Sequence, residues 1–138
     1  MDSIVTEQEH CIYTRLENGV HEFVMLSSKR DAIDVYMAMY EPIYRQLPAD
    51  GVMYSIVDQS QSGMPPITYL TSAVKRMIDN NPPRRKTCMA IIFSNNMMVA
   101  LLETVRTLLT KPGYDDVRFF HVNNRDQAIA WLNEAISQ

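Results

Sequence analysis

The chain has 138 residues, of which 46% are hydrophobic and 21% charged, and its formal net charge is −3. This size and composition predict one soluble globular domain over residues 1–138. The negative charge disfavours sequence-independent binding to nucleic acid, which requires a broad basic surface. The first residues show no signal-peptide pattern, and no apolar run reaches the length of a membrane span. We therefore expect a cytoplasmic protein without membrane insertion.

The chain begins with a predicted tail and a predicted hairpin. Residues 1–9 are mostly polar and are expected to be loosely held, as chain termini often are. Two short apolar runs, 11–16 and 20–26, then flank an Asn-Gly pair at 18–19. Both turn residues tolerate the positive φ of a type I′ turn, so this pattern predicts an antiparallel β-hairpin.

The remaining elements alternate between strand and helix patterns. Runs of apolar residues predict three further strands, at 52–57 (or 58), 89–93 and 117–122. Apolar residues at helical spacing predict four helices, at 29–47, 65–80, 97–111 and 125–136. Pro42 is expected to kink the first helix or split off its last turn, and Pro65 or Pro66 suits the first turn of the second. Asn124 is the predicted N-cap of the last helix.

The predicted order is ββαβαβαβα, which indicates an α/β domain. Strands that alternate with helices pair in parallel through right-handed crossovers. Strands 52–57 and 89–93 are apolar on both faces, as in a sheet that helices cover. The sequence therefore predicts a mixed, mostly parallel sheet with an N-terminal antiparallel hairpin, four helices, and strand 52–57 at its centre.

The segment after strand 52–57 is the strongest candidate for a functional site. It brings Asp58, Ser60, Ser62 and Gly63 to the carboxyl end of a buried strand, where open α/β sheets usually bind ligands. One interpretation is a loop that docks a partner or accepts a phosphate on Ser60 or Ser62. The alternative, which is favoured, is turn chemistry and capping, in which Asp and Ser side chains bond their own backbone.

Other reactive residue types form no catalytic or metal-binding pattern. The three histidines and two cysteines lack the spacing of a metal site, and the sequence has neither a Gly-x-Ser-x-Gly elbow nor a Gly-rich phosphate loop. We expect no cofactor, no bound metal and no enzymatic activity. Cys11 and Cys88 are expected to be buried free thiols.

Two further clusters each have two interpretations. Tyr36, Tyr40 and Tyr44 recur on one helix face, where they form either part of the core or an aromatic ligand box, and the core is favoured. The basic cluster at 84–86 either binds an acidic partner or lipid headgroup, or keeps its loop solvated, and solvation is favoured.

Four features of the chain resemble the STAS fold group, and especially its SpoIIAA-like subfamily. They are the hairpin with Glu17-Asn18-Gly19-Val20, the central strand ending at Asp58, the polar turn after Ile91-Ile92-Phe93, and the closing segment 117–132. The resemblance extends over about residues 10–136. In the anti-sigma-factor antagonists of this group, a partner kinase phosphorylates a serine in the loop after the central strand, and the following helix docks the partner. The fold is also related to lipid-binding CRAL-TRIO domains.

Three functions follow as hypotheses. The first, which the resemblance implies, is a non-enzymatic regulatory or protein-interaction module that docks a partner, or a second copy in a homodimer, through the 58–64 loop and the next helix. The second is a small apolar-ligand or lipid-binding protein with a cavity between the sheet and the helices at 29–47 and 65–80. A minor third is an enzyme that uses Asp58 or Ser60.

Overall fold

The computed structural model describes residues 4–7, 10–95 and 99–138, which form one sheet and four α-helices. The strands are β1 (Ile4–Glu7), β2 (Cys11–Arg15), β3 (His21–Met25), β4 (Val52–Asp58), β5 (Lys86–Phe93) and β6 (Asp115–His121). The helices are α1 (Arg30–Gln46), α2 (Ile67–Asn80), α3 (Val99–Leu109) and α4 (Arg125–Ile136). The strands lie in the sheet in the order β1-β2-β3-β4-β5-β6, which is their order along the chain.

From β2 onward this architecture confirms the predicted ββαβαβαβα order. Strands β2 and β3 pair antiparallel, and β3 to β6 pair in parallel, with β4 between β3 and β5. The sequence pattern predicts no strand before residue 11, but Ile4–Glu7 extends the sheet by pairing antiparallel with β2. The other residues of 1–9 lie outside the described part of the chain.

The hairpin forms where it was predicted, but through a different turn. Among the described residues only glycines have positive φ, and Gly19 has φ +87°, so Asn18 does not adopt the conformation of a type I′ turn. The Leu16 N–H donates to the Val20 carbonyl at 2.9 Å, and the Gly19 N–H donates to the Leu16 carbonyl at 3.0 Å. This is a three-residue loop closed by a glycine bulge, and the Asn18 side chain supports it by accepting from the Val20 N–H at 3.0 Å.

The helices divide unequally between the two faces of the sheet. Residues of α1 and α2 pack with Met53 and Val57 of β4, whereas α4 packs with Ile56 of the same strand. Right-handed crossovers that all step in one direction place their helices on one face, which explains why α1, α2 and α3 share a side. Helix α4 covers the opposite face.

The core clusters on the two faces of the sheet, under α1 and under α4, differ in the size of their side chains. The cluster under α1 is rich in aromatic rings: the Phe23 centroid lies 5.0 Å from that of Tyr36 and 5.9 Å from that of Tyr40. The cluster under α4 is made of smaller residues: Val20, Ile56, Cys88, Ala90, Ile92, Ala128 and Leu132. Cys11 and Cys88 are both buried and free, as predicted, and they belong to different clusters.

The ends of the helices depart from several local expectations. Helix α1 continues through Pro42 to Gln46, so its last turn is not split off. Helix α2 begins at Ile67 with Pro66 as its N-cap, so both prolines precede the helix instead of lying in its first turn. Asn124 precedes α4 without a side-chain capping bond. The predicted beginning of α3 at residue 97 falls outside the described residues.

The basic cluster at 84–86 is not the solvated loop that the sequence favoured. Arg85 is only 7% exposed, and its guanidinium donates to the carbonyls of Arg45 and Leu47 at the end of α1 and of Asn81 at the end of α2. The Tyr44 hydroxyl accepts from the Arg85 N–H at 2.8 Å. The last carbonyls of a helix have no partner within the helix and carry its negative dipole end, so one buried cation satisfies two helix ends.

Replacing Arg85 by Met is therefore expected to destabilise the fold. Arg85→Met keeps an apolar side chain but removes the guanidinium, whose central carbon lies 5.2 Å from the Tyr44 ring centroid, and leaves the carbonyls at the two helix ends without this donor. We expect the free energy of unfolding in urea to fall by about 3 kcal/mol. Arg76→Met, at an exposed position of α2, is the control and should change it by no more than about 0.5 kcal/mol. Equal effects of the two substitutions would show that Arg85 does not join the helix ends.

Candidate functional site

The predicted site residues lie together in the loop that follows β4. Asp58 ends the strand and is 9% exposed. Its Oδ1 atom accepts two hydrogen bonds from Ser60, at 2.9 Å from the backbone N–H and 2.6 Å from the hydroxyl. This arrangement is an Asx-type turn, in which a short acidic side chain closes the backbone two residues later.

The same loop is attached to its neighbours by backbone hydrogen bonds. The Gln59 N–H donates to the Ile92 carbonyl of β5 at 2.9 Å, and the Gly63 N–H donates to the Gln59 carbonyl at 3.0 Å. The Ser94 hydroxyl donates to the Ser60 carbonyl at 3.1 Å. Gly63 has φ +76°, which a residue with a side chain rarely adopts.

The two candidate serines differ in what their hydroxyls contact. The Ser60 hydroxyl bonds a carboxylate, while that of Ser62 donates to the adjacent Gly63 carbonyl at 3.2 Å. Both serines precede the first residue of α2, Ile67, by at least five positions, so neither lies in the first turn of the helix. Turn chemistry accounts for these contacts, and partner docking or phosphorylation by this loop stays a prediction.

The contact between Ser60 and Asp58 predicts unequal effects of an added negative charge. Ser60→Asp replaces a donor to the Asp58 carboxylate by a like charge, which should lower the free energy of unfolding by about 1–2 kcal/mol. The control Ser62→Asp, in which no carboxylate is contacted, should change it by less than about 0.5 kcal/mol. Urea unfolding at low salt measures both. Similar losses in the two variants would contradict the assigned Asp58–Ser60 contact.

A cavity of about 100 Å³ lies between the sheet and the helices α1, α2 and α3. Its walls are mostly apolar, with residues from β3 to β6 on one side and from the three helices on the other. The 58–64 loop contributes Gln59 and Met64 to its lining, but not Asp58, Ser60, Ser62 or Gly63. The loop and the cavity are thus neighbouring features, and the predicted residues do not form the cavity wall.

Five of the ten methionines line this cavity: Met25, Met37, Met64, Met77 and Met89. Methionine side chains are unbranched and polarizable, and they adapt to irregular apolar space at small cost. A wall of this kind can change its shape more readily than a wall of branched aliphatic residues. The volume open to a ligand is therefore adjustable.

The three tyrosines of α1 are both core residues and cavity residues. Tyr36, Tyr40 and Tyr44 are all buried, and all three line the cavity. Burial is the main cause that raises the pKa of Tyr36 and of Tyr40 far above that of free tyrosine, with the Asp115 carboxylate adding to the effect at Tyr40. Their hydroxyls are protonated at neutral pH, and among the hydrogen bonds of the described residues none uses the hydroxyl of Tyr36 or Tyr40.

One end of the cavity is polar, and sequence reasoning did not find it. Arg84 and Asp115 form an ion pair there, and the Thr87 hydroxyl donates to Asp115 Oδ1 at 2.7 Å. The backbone N–H of Lys111 donates to Asp115 Oδ2 at 2.8 Å. Thr87 and Asp115 are paired residues near the amino ends of β5 and β6, so this end is opposite the strand ends that carry the predicted loop. The signal would have been a charged residue at the start of each of two strands, Arg84 just before β5 and Asp115 as the first residue of β6. This signal has meaning only when the two strands are known to be neighbours.

The histidines occupy separate positions in the part of the chain that the structure describes. His21 Nδ1 lies 2.7 Å from the Tyr13 hydroxyl, and burial, aided by the charge of Arg15, lowers the His21 pKa. His121 Nε2 lies 2.6 Å from Asn95 Oδ1. Within the described residues no three His, Cys, Asp or Glu side chains are grouped as a metal site would require. None of the helices in that part of the chain has the length and apolar character needed to cross a membrane.

Comparison with known proteins supplies no relative. The chain matches no protein-family model, no curated protein and no solved structure.

Proposed function

We propose that the protein binds a small, largely apolar ligand in the cavity between the sheet and the helices α1, α2 and α3. The observation that carries this proposal is a cavity of about 100 Å³ between the core residues under α1 and those that join α1, α2 and α3, with five methionines in its wall. Interiors of folded domains are normally packed to the density of organic crystals. An empty cavity of this size therefore lowers the free energy of unfolding, and a bound ligand offsets that loss.

The size of the cavity limits the ligand. An apolar cavity of about 150 Å³ accommodates benzene, so a ligand of about six to eight non-hydrogen atoms fits this cavity of about 100 Å³ only when the adaptable methionine wall expands. Ligands of about six atoms gain at most about 9 kcal/mol, which corresponds to submicromolar affinity at the tightest. The proposal is for a compact molecule, because a long-chain lipid would require the helices to separate.

We further propose that the domain is a divergent relative of the STAS fold group. The opening hairpin, the parallel strands that follow in sequence order, and the closing strand, turn and helix at Asp115–His121 and Arg125–Ile136 support this relationship. A shared fold does not transmit a function. Docking of a protein partner or a second copy through the 58–64 loop and α2 is a separate prediction, and the cavity neither requires nor opposes it.

Filling the cavity should abolish ligand binding without unfolding the protein. Val74 of α2 lines the cavity and is half-buried, so Val74→Phe directs a ring into the open volume. Val35 of α1 is also a half-buried helical valine, but it does not line the cavity, so Val35→Phe is the matched control. Toluene and methylcyclohexane are expected to raise the melting temperature of the unaltered protein and of Val35→Phe by about 2–6 °C, and to leave Val74→Phe unchanged.

Native mass spectrometry of protein taken directly from cells provides the second measurement. A small compound that accompanies the unaltered protein and Val35→Phe, but not Val74→Phe, is the expected result. Equal thermal shifts in all three proteins would place hydrocarbon binding elsewhere, and the absence of any shift in the unaltered protein would refute the proposal.

A further inference from the structure

The polar end of the cavity contains a donor that the protein itself does not use. Arg84 is bonded through one terminal nitrogen to Asp115, but its Nε–H is buried and has no hydrogen-bond partner among the described residues. Arg84 lines the cavity, and its guanidinium carbon lies 5.9 Å from the centroid of the Tyr114 ring. A buried donor without an acceptor is costly, and each such group in a folded protein requires an explanation.

The acceptor that would satisfy this donor is not the neighbouring carboxylate. Asp115 already accepts from Arg84, from the Thr87 hydroxyl and from the Lys111 N–H, and its side chain is only 7% exposed. These three bonds fix Asp115 on one side of the guanidinium. Asp115 therefore gives Arg84 Nε no acceptor, and an oxygen of a molecule in the cavity reaches this buried donor when the adaptable methionine wall moves to admit it.

The charges at this end decide which kind of acceptor fits. The Arg84 guanidinium is paired with the Asp115 carboxylate, and Arg106, the other cation of the cavity lining, is paired with Glu103, so neither cation is left without a carboxylate to attract an anion. A ligand carboxylate at this end would lose its hydration and would also lie near the charge of Asp115. An uncharged oxygen acceptor avoids both penalties and still receives a hydrogen bond from a cationic donor, which is stronger than one from a neutral donor.

We propose that the ligand is a compact neutral molecule with one hydrogen-bond acceptor, such as a ketone, ester or ether oxygen, directed at Arg84 Nε. This inference rests on the proposed function and adds the orientation and chemical class of the ligand. The apolar body lies among the methionines and the α1 tyrosines, and the oxygen lies at the amino ends of β5 and β6. Tyr40 also lines the cavity, and its hydroxyl makes no hydrogen bond among the described residues, so it can supply a second bond to the ligand.

Three ring compounds of similar size test the chemical class by titration calorimetry. They are cyclohexanone, methylenecyclohexane, which has the same shape without the oxygen, and cyclohexanecarboxylate. Arg84→Lys keeps a cation to pair with Asp115 but removes the Nε–H donor. Arg118→Lys is the matched control, because Arg118 also has an acidic partner, Asp116 at 3.6 Å, but lies outside the cavity lining.

We expect Arg84→Lys to weaken cyclohexanone binding about 10-fold and methylenecyclohexane binding by less than about 2-fold, with no change in Arg118→Lys. Equal effects of Arg84→Lys on the two compounds would overturn the inference and leave the apolar cavity intact. Tighter, Arg84-dependent binding of cyclohexanecarboxylate would overturn it in favour of an anion. Binding of none of the three to the unaltered protein would overturn the proposed function as well.

A second measurement keeps the test independent of the stability of Arg84→Lys. In unaltered protein labelled with ¹⁵N-arginine, cyclohexanone should shift the Arg84 Nε–H resonance, and methylenecyclohexane should leave it nearly unchanged. Identical shifts with both compounds, or none with the ketone, would contradict a direct hydrogen bond.

Discussion

The direction of the crossovers is the constraint on which the rest of this structure depends. The three connections from β3 to β6 each step to the next strand on the same side of the sheet. A right-handed connection can do this only by placing its helix on one face, so α1, α2 and α3 are all directed to the same surface. The opposite face receives one helix, α4, which packs closely on the small residues of β4 and β5.

The sheet face that α1, α2 and α3 cover is packed mainly with tyrosine and methionine side chains. Tyrosines project from α1 and methionines from both the helices and the strands, and together they cover the sheet without closing all the space beneath them. Arg85 joins the ends of α1 and α2, which holds the two helices at this spacing because their terminal carbonyls share one guanidinium. The cavity is thus a consequence of three helices spanning four parallel strands, and its polar end lies where β5 and β6 begin.

Periodic patterns made much of this fold predictable, because burial on a helix or strand repeats at a fixed spacing that the sequence displays. The four helices, the strands from β2 onward and the central position of β4 followed from such patterns. Details that depend on a single local contact could not be predicted from such patterns. The Asn18-Gly19 pair suits several types of turn, so its turn type was not determined by the sequence. The first residue of α2 relative to Pro66 is likewise not determined by composition. Strand β1 was missed because four residues are too few to show a period.

The site was harder to predict, since it depends on which strands are neighbours. The loop at 58–64 was found because its residues are close in sequence, and the structure shows them bonded chiefly to one another. Arg84 and Asp115 are 31 residues apart, and their pairing requires the register of β5 against β6. Arg85 resembles its neighbours Arg84 and Lys86 in sequence but is buried, because only its position meets the helix ends. Charge clusters read from sequence do not reveal which member points inward.

The most direct test of the account is a crystal structure of the protein under xenon pressure, because xenon enters apolar cavities without requiring a particular functional group. The account predicts xenon density between β4 and β5 on one side and α1 and α2 on the other, in contact with methionine side chains such as Met77 and Met89. Closed packing at this place, with no xenon between the sheet and these helices, would contradict it.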